Sequence, residues 1–261
     1  MKKALLAVSF GTSYMDTFEK TIRPIEEDLR EAFPDRTFYR AFTSGMIIRK
    51  LKKQGLLEVD TVEEALDRAL AEGAEDILVQ TTHIINGEEY DLLRESIEKK
   101  AGAFAQIHTG KPLLTDHEDY PALARAVLQE VPAKREGECL IFMGHGSTHY
   151  ANAAYAQLEY VFHDLGRSDV YIGTVEGYPQ IDEVIRRLQE HGEIKKASCY
   201  PLLIVAGDHA RNDMSGEGPD SWKSQLRAQG YETSCILKGL GEYENVRRIF
   251  AEHARKALEK E

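Results

Sequence analysis

The chain carries one pattern twice. The apolar run Lys3–Val8 ends in Ser9-Phe10-Gly11-Thr12, and Cys139–Met143 ends in Gly144-His145-Gly146-Ser147, with Gly11 aligned on Gly146. Tyr39–Phe42 followed by Ser44-Gly45 returns as Val170–Thr174 followed by Glu176-Gly177. Leu78–Ile84 with Asn86-Gly87-Glu88 returns as Cys199–Val205 with Gly207-Asp208-His209. A short run near Ile107 and the helical stretch after Asp119 return as Cys235-Ile236-Leu237 and the amphipathic segment Glu242–Leu258. Repetition at this length fixes the supersecondary unit before any motif is considered. Each copy alternates apolar runs with amphipathic segments, which calls for parallel strands joined by crossover helices. The expected fold is α/β, two similar doubly wound parallel-sheet domains facing across a cleft. The domains are expected at 1–136 and 137–261, with the polar stretch Pro132–Glu138 as linker.

Local signals place the elements. Helices are expected over Asp16–Ala32, ended by Pro34-Asp35, over Met46–Leu57, and from Thr61, where Glu63 and Glu64 suit a first turn. Strands are expected at Thr37–Phe42, Ile77–Thr82 and Ala105–Thr109 in the first half. Met214–Trp222 reads as a loop able to cover a cleft or as an ordinary surface excursion. His149, His163, His191 and His253 read as solvent-facing.

Net charge removes several classes. With a formal charge of -11 and no Lys/Arg stripe, the chain lacks the basic surface that a phosphate backbone requires, so nucleic acid is not an expected partner. Met1–Val8 imitates the charged tip of a signal peptide, but Ser9-Phe10-Gly11-Thr12-Ser13 cuts the apolar run short, and no run nears the ~18 residues of a membrane span. Cys139, Cys199 and Cys235 are isolated, odd in number and beside strand-like runs, as buried thiols in a reducing compartment would be. A cytoplasmic location is expected. The oligomeric state is left open, a homo-oligomer included.

The two copies differ at their loop tips. In open α/β sheets ligands bind beyond the carboxyl ends of the strands. There the second copy presents His145, Glu176 and His209, where the first has Phe10, Ser44 and, in an ungapped third strand, Glu88. A one-residue slip would instead bring Glu89 to that place, and His83 is a further candidate. A packing role would serve both copies alike, so the asymmetry favours chemistry. Two imidazoles and a carboxylate suit an open divalent-metal site. Taken singly, each has an ordinary reading: His145 as a cap, Glu176 as a helix-capping carboxylate, His209 as one member of a polar turn. A nucleophilic serine at Ser147 lacks the Gly-x-Ser-x-Gly elbow. Neither a P-loop nor a complete Gly-x-Gly-x-x-Gly occurs.

Four segments, in this order, carry a resemblance over essentially the whole chain: Ser9-Phe10-Gly11-Thr12-Ser13, Gly144-His145-Gly146-Ser147, Val175-Glu176-Gly177-Tyr178-Pro179 and Gly207-Asp208-His209-Ala210-Arg211-Asn212-Asp213-Met214. The set resembles the anaerobic cobalt chelatases that insert Co²⁺ into sirohydrochlorin in the early-cobalt route to vitamin B12, within the ferrochelatase-like class II chelatases. The resemblance implies two α/β domains, no ATP, no organic cofactor and Co²⁺ as the substrate metal. It implies His145 and His209 as active-site histidines with Glu176 as acidic partner, all three also holding the metal. The tetrapyrrole, sirohydrochlorin or precorrin-2, carries many carboxylates, which loops at helix N-termini would receive. The candidates are Phe10, Gly11, Thr12, Ser13, Thr43, Ser44, Gly45, Met46, Asn86, Gly87, Glu88 and Glu89 in the first half, and Ser147, Thr148 and Arg211 in the second. On this view the first half mainly holds the macrocycle and the second the metal. The alternatives are an Fe²⁺ or Ni²⁺ chelatase for the same tetrapyrrole, or a metal or tetrapyrrole carrier without turnover.

Overall fold

A computed structural model describes residues 1–259. In the first half, β1 (Lys2–Ser9), β2 (Thr37–Phe42), β3 (Ala74–Thr81) and β4 (Gln106–Thr109) form one sheet in the order β2-β1-β3-β4. In the second, β5 (Glu138–Gly144), β6 (Val170–Thr174), β7 (Lys196–Pro201) and β8 (Glu232–Cys235) form another in the order β6-β5-β7-β8. Every pairing is parallel, and the two orders are the same permutation. The fold is the expected α/β duplication, in which the chain passes from the edge strand β2 (β6) over β1 (β5) to reach the inner strand β3 (β7).

Helices cover both faces of each sheet. In the first unit, α1 (Met15–Lys20) and α2 (Ile22–Ala32) follow β1, α3 (Gly45–Gln54) and α4 (Val62–Ala71) follow β2, and α5 (Glu88–Lys100) follows β3. Alternation along β1 sends Ala4, Leu6 and Val8 into a core with Val62, Leu66, Tyr90 and Leu93. Leu5 and Ala7 face the other way, where α2 lies on β1. The expected single helix over Asp16–Ala32 is broken at Thr21. A proline ring at position 24 clashes with the carbonyl four residues back, at Lys20, while Pro24 itself sits harmlessly in the first turn of α2. The Thr21 hydroxyl donates back to the Thr17 carbonyl at 2.5 Å, which also bends helices.

The second unit follows the same plan with α6 (Asp119–Leu128), α7 (Ala153–Asp164), α8 (Ile181–His191) and α9 (Trp222–Ala228). Cys139, Ile141 and Met143 pack with Val184, Leu188, Trp222 and Leu226. On the opposite face Phe142 stacks on Phe162 at 5.6 Å between ring centroids. Trp222 is thus a core residue at the start of α9. The third strand ends at Pro201, short of the expected Val205, because proline has no N–H to extend the ladder. The last strand falls on Glu232–Cys235, before the expected Cys235-Ile236-Leu237. It is an edge strand whose alternate residues are exposed, so it carries little apolar signal.

The boundary between units departs from the expected 136/137. One compact unit is Met1–Thr115 together with α10 (Glu244–Glu259), and the other is Asp116–Tyr243. The closing helix buries Val246, Phe250, Ala251 and Ala254 and packs on α2, β3 and β4 of the first unit. An Arg247–Asp28 ion pair at 2.7 Å and a hydrogen bond between His253 Nδ1 and the Lys111 carbonyl at 3.2 Å fix it there. His253 is buried, and His163 is tied to the Val170 carbonyl at 2.7 Å, so neither is the solvent-facing histidine expected. α6 packs on α7 in the second unit. Pro132–Glu138 lies inside that unit, with the Pro132 carbonyl accepting from Arg167 Nη2 at 3.0 Å, and is no linker between domains.

Candidate metal centre

Three strands of the second sheet deliver three side chains to its carboxyl edge. β5 ends at Gly144, where a Cβ would meet the Tyr155 ring at 2.4 Å, so the chain passes closely over that ring. His145 comes next. Gly146 has φ +80°, and a Cβ there would stand 2.4 Å from the Gly177 amide nitrogen. Only glycine combines that dihedral with that approach. Gly11, its counterpart in the first unit, has φ +101° and packs on Phe42 as Gly146 packs on Thr174. The repeat therefore extends to backbone conformation.

The loop after β6 is sewn to the loop after β5. The amide of Glu176 donates to the His145 carbonyl at 2.8 Å, and Thr174 closes the loop by donating its amide to the Pro179 carbonyl at 2.7 Å. Asn152 bridges the two loops: its Oδ1 accepts from the Ser147 amide at 3.1 Å and its Nδ2 donates to the Tyr178 carbonyl at 2.6 Å. Beneath them the Tyr155 hydroxyl is buried, and burial pushes its pKa up to about 12 against the opposing influence of the Gly146 and His145 backbone N–H groups. Asn152 and Tyr155 escape a sequence reading because they act on loops that meet only in the folded chain.

His209 arrives after β7, just before a single π-helical turn at Ala210–Met214. Such turns are rare and occur disproportionately at functional sites. The turn brings Asp213 Oδ2 to 2.6 Å from His209 Nδ1. A carboxylate there accepts the Nδ1 proton and leaves Nε2 with its lone pair outward, the usual arrangement of a metal-binding histidine. The spacing of four residues is the sequence signal for Asp213, visible once that stretch is read as helical. His145 Nδ1 donates to the Gly146 carbonyl at 2.9 Å, which likewise frees its Nε2.

His145, Glu176 and His209 each offer a ligand atom, and these lie within 4.8 Å of one another. The two imidazoles stand nearly perpendicular, 86° apart with centroids at 4.9 Å, and His145 Nδ1 is 3.8 Å from Glu176 Oε2. Donors on one ion at roughly 2.1 Å sit about 3–4 Å apart, so small side-chain rotations close the set. The Glu176 and His145 side chains remain 59% and 42% exposed, which leaves open positions for a reaction partner.

The family is decided at the scale of the whole chain. A family model described as cobalt chelatase (CbiK) matches residues 3–259. The chain belongs to the CbiK cobalt chelatase family. It is 44% identical over 258 residues to the sirohydrochlorin cobaltochelatase of Salmonella typhimurium, covering 99% of this chain and 97% of that one. It is 35% identical to the sirohydrochlorin cobaltochelatase CbiKC of Nitratidesulfovibrio vulgaris, covering 98% and 91%. Among solved structures it is similar to SirB from Bacillus subtilis with Fe³⁺, with a TM-score of 0.67, 17% identity and coverage of 98% and 96%. That last likeness speaks to the fold.

The other expected residues of this CbiK chelatase lie at the carboxyl edges of their own sheets. In the first unit Phe10 is 42% exposed and Met46 70% exposed, whereas Thr12 and Ser44 are buried. Thr12 Oγ1 accepts from the Tyr14 amide at 3.1 Å, and Ser44 Oγ caps α3 by accepting from the Ile47 amide at 3.4 Å. Asn86 Nδ2 donates to the Leu114 carbonyl at 3.1 Å. These side chains hold their own loops, leaving backbone and exposed groups to meet a ligand. Ser13, Thr43 and Gly45 are half-buried, and Gly11 and Gly87 are buried. In the second unit Ser147 Oγ accepts from the His149 amide at 3.0 Å, Thr148 is exposed, and Arg211 Nε folds back on the Ala206 carbonyl at 3.4 Å.

Strand pairing resolves the third register. Val8 pairs with Thr81 and Met143 with Pro201, a shift of 120 residues between the third strands, which sets Glu89 and not Glu88 opposite His209. Glu89 is half-buried and Glu88 exposed, both in the first turn of α5. His83 is held between Thr81 Oγ1 at 2.5 Å from Nδ1 and Thr43 Oγ1 at 3.5 Å from Nε2. Burial pushes its pKa down to about 4, so it is a neutral imidazole near pH 7.

Proposed function

We propose that this chain is a cytoplasmic sirohydrochlorin cobaltochelatase, inserting Co²⁺ into the tetrapyrrole without ATP and releasing two protons. The observation that carries the proposal is the convergence of His145, Glu176 and His209, with donors within 4.8 Å, in a member of the CbiK family whose relatives bear that activity in their names.

The reaction exchanges two pyrrole N–H bonds for four Co–N bonds, and each released proton needs an acceptor. Two neutral nitrogens and one carboxylate bind a divalent ion firmly enough to gather it from dilute solution and, with positions left open, loosely enough to pass it on. The same imidazole lone pair binds either a metal ion or a proton, so His145 serves both as ligand and, once the ion leaves it, as acceptor of a pyrrole proton. Glu176 balances the charge of the ion and relays protons toward solvent, to which it is open. His209, oriented by Asp213, completes the metal site.

The test is an anaerobic absorbance assay with catalytic protein, excess sirohydrochlorin and Co²⁺, run beside a no-enzyme control and with Fe²⁺ and Ni²⁺ in parallel. Multiple turnovers above the control, fastest with Co²⁺, are expected. His145→Ala abolishes insertion while sirohydrochlorin still binds. Bound tetrapyrrole without turnover in the wild-type chain would make it a carrier, and a fully active His145→Ala protein would remove the histidine from the mechanism.

A further inference from the structure

The helix α3 is an electrostatic anomaly. In a chain of net charge -11 its sequence Gly-Met-Ile-Ile-Arg-Lys-Leu-Lys-Lys-Gln contains four cations and no acid. Elsewhere in the first unit cations are commonly spent on acids, as in Arg36–Asp76 at 2.8 Å, Lys3–Asp35 at 2.7 Å and Lys100–Asp67 at 2.5 Å. Arg49 and Lys50 make no ion pair or hydrogen bond among the described residues. Both are exposed, and only Leu51 of α3 is buried.

Their placement is specific. The Arg49 guanidinium folds back along the helix, its Nη1 3.4 Å from where a Cβ on Gly45 would stand, which brings the charge to the N-terminal end of α3 and the loop after β2. Lys50 Nζ lies 5.7 Å from the centroid of Tyr14, in the loop after β1. These two loops are tied together, the Thr43 and Ser44 amides donating to the Ser9 and Phe10 carbonyls at 2.9 and 3.2 Å. The same loop tips expose Phe10 and Met46. Two uncompensated cations beside two exposed apolar side chains match a flat apolar ring with an anionic rim, better than a small anion or an extended phosphate chain.

We infer that Arg49 and Lys50 form the subsite for peripheral carboxylates of the tetrapyrrole, with Phe10 and Met46 against its ring. The inference rests on the tetrapyrrole reading given above and adds its specificity determinants. A guanidinium offers a carboxylate two parallel N–H donors, while the ammonium acts as a point charge, so Arg49 orients the macrocycle and Lys50 chiefly attracts it. Recognition by charge at an exposed edge also makes substrate capture weaken with salt.

The experiment is metal-free binding of sirohydrochlorin, followed by its fluorescence, so that it reads this subsite whether or not the chain turns over. Arg49→Gln and Lys50→Gln are each expected to raise Kd by about tenfold, the scale of one charge-assisted contact. Co²⁺ affinity stays unchanged, Arg49→Lys recovers part of the loss, and the double variant shows a shallower dependence of Kd on ionic strength. The control is Lys52→Gln with Lys53→Gln, cations in the last turn of the same helix, where the change is expected to stay under about twofold. Unaltered Kd in the double variant, or an equal loss in the control, would overturn the subsite. Absence of turnover by the wild-type chain, with these binding differences intact, would overturn the chelatase reading and leave the subsite standing.

Discussion

Asp213 controls His209 through one proton. By accepting from Nδ1 it fixes the tautomer and the orientation of the ring, which leaves Nε2 to face the metal. Asp213→Asn keeps the size but supplies a neutral acceptor, so Co²⁺ affinity is expected to fall about 10–100-fold in a spectroscopic titration with far-UV dichroism unchanged. Wild-type affinity in that variant would show that the carboxylate orients nothing. The grouping of His145, Glu176 and His209 was legible in the chain because each follows a strand-like run with a glycine within two residues and the first copy carries a different residue at each of the three places. Asp213 was less so, since Asp208-His209-Ala210-Arg211-Asn212-Asp213 looks like a polar turn until its helical geometry is known. Arg49 and Lys50 read as the solvated face of a helix. That neither forms an ion pair among the described residues is a property of tertiary structure.

At the scale of elements, the loops after β5 and β6 behave as one piece. They share the Glu176–His145 backbone hydrogen bond, the Asn152 bridge and the contact of Gly146 with Gly177. Gly146→Ala places a methyl group in that contact and forces a left-handed dihedral on an L-residue. A loss of about 2 kcal/mol or more of stability is expected by chemical denaturation, together with weakened Co²⁺ binding, since His145 and Glu176 can no longer sit together. The equivalent Gly11→Ala is expected to destabilise without touching Co²⁺ affinity, which separates the fold's need for the glycine from the metal's. Strand positions were readable from apolar runs where the sheet is buried on both faces, as in β1 and β5. They failed at Pro201, where an apolar sequence continues after the ladder cannot, and at β8, where the ladder continues in a polar sequence.

The whole molecule is less simply divided than its duplicated sequence. Apolar periodicity in Glu242–Leu258 announced a helix correctly, but periodicity does not say which sheet a helix will cover. α10 belongs with the first unit because its apolar face meets α2, β3 and β4, and Arg247 meets Asp28. Ending the chain after Tyr243 would strip these contacts, with Phe250 and Val246 alone worth roughly 3–6 kcal/mol of burial, a large share of a domain's stability. Calorimetry of that truncation is expected to show the transition of the first unit lost or moved far down, and that of Asp116–Tyr243 kept. One consequence concerns birth on the ribosome. Because the second unit is inserted between the body of the first and its last helix, the half translated first is the half completed last. Asp116–Tyr243, with all three metal donors, has its full sequence synthesised while the earlier half still lacks the helix that packs on α2, β3 and β4.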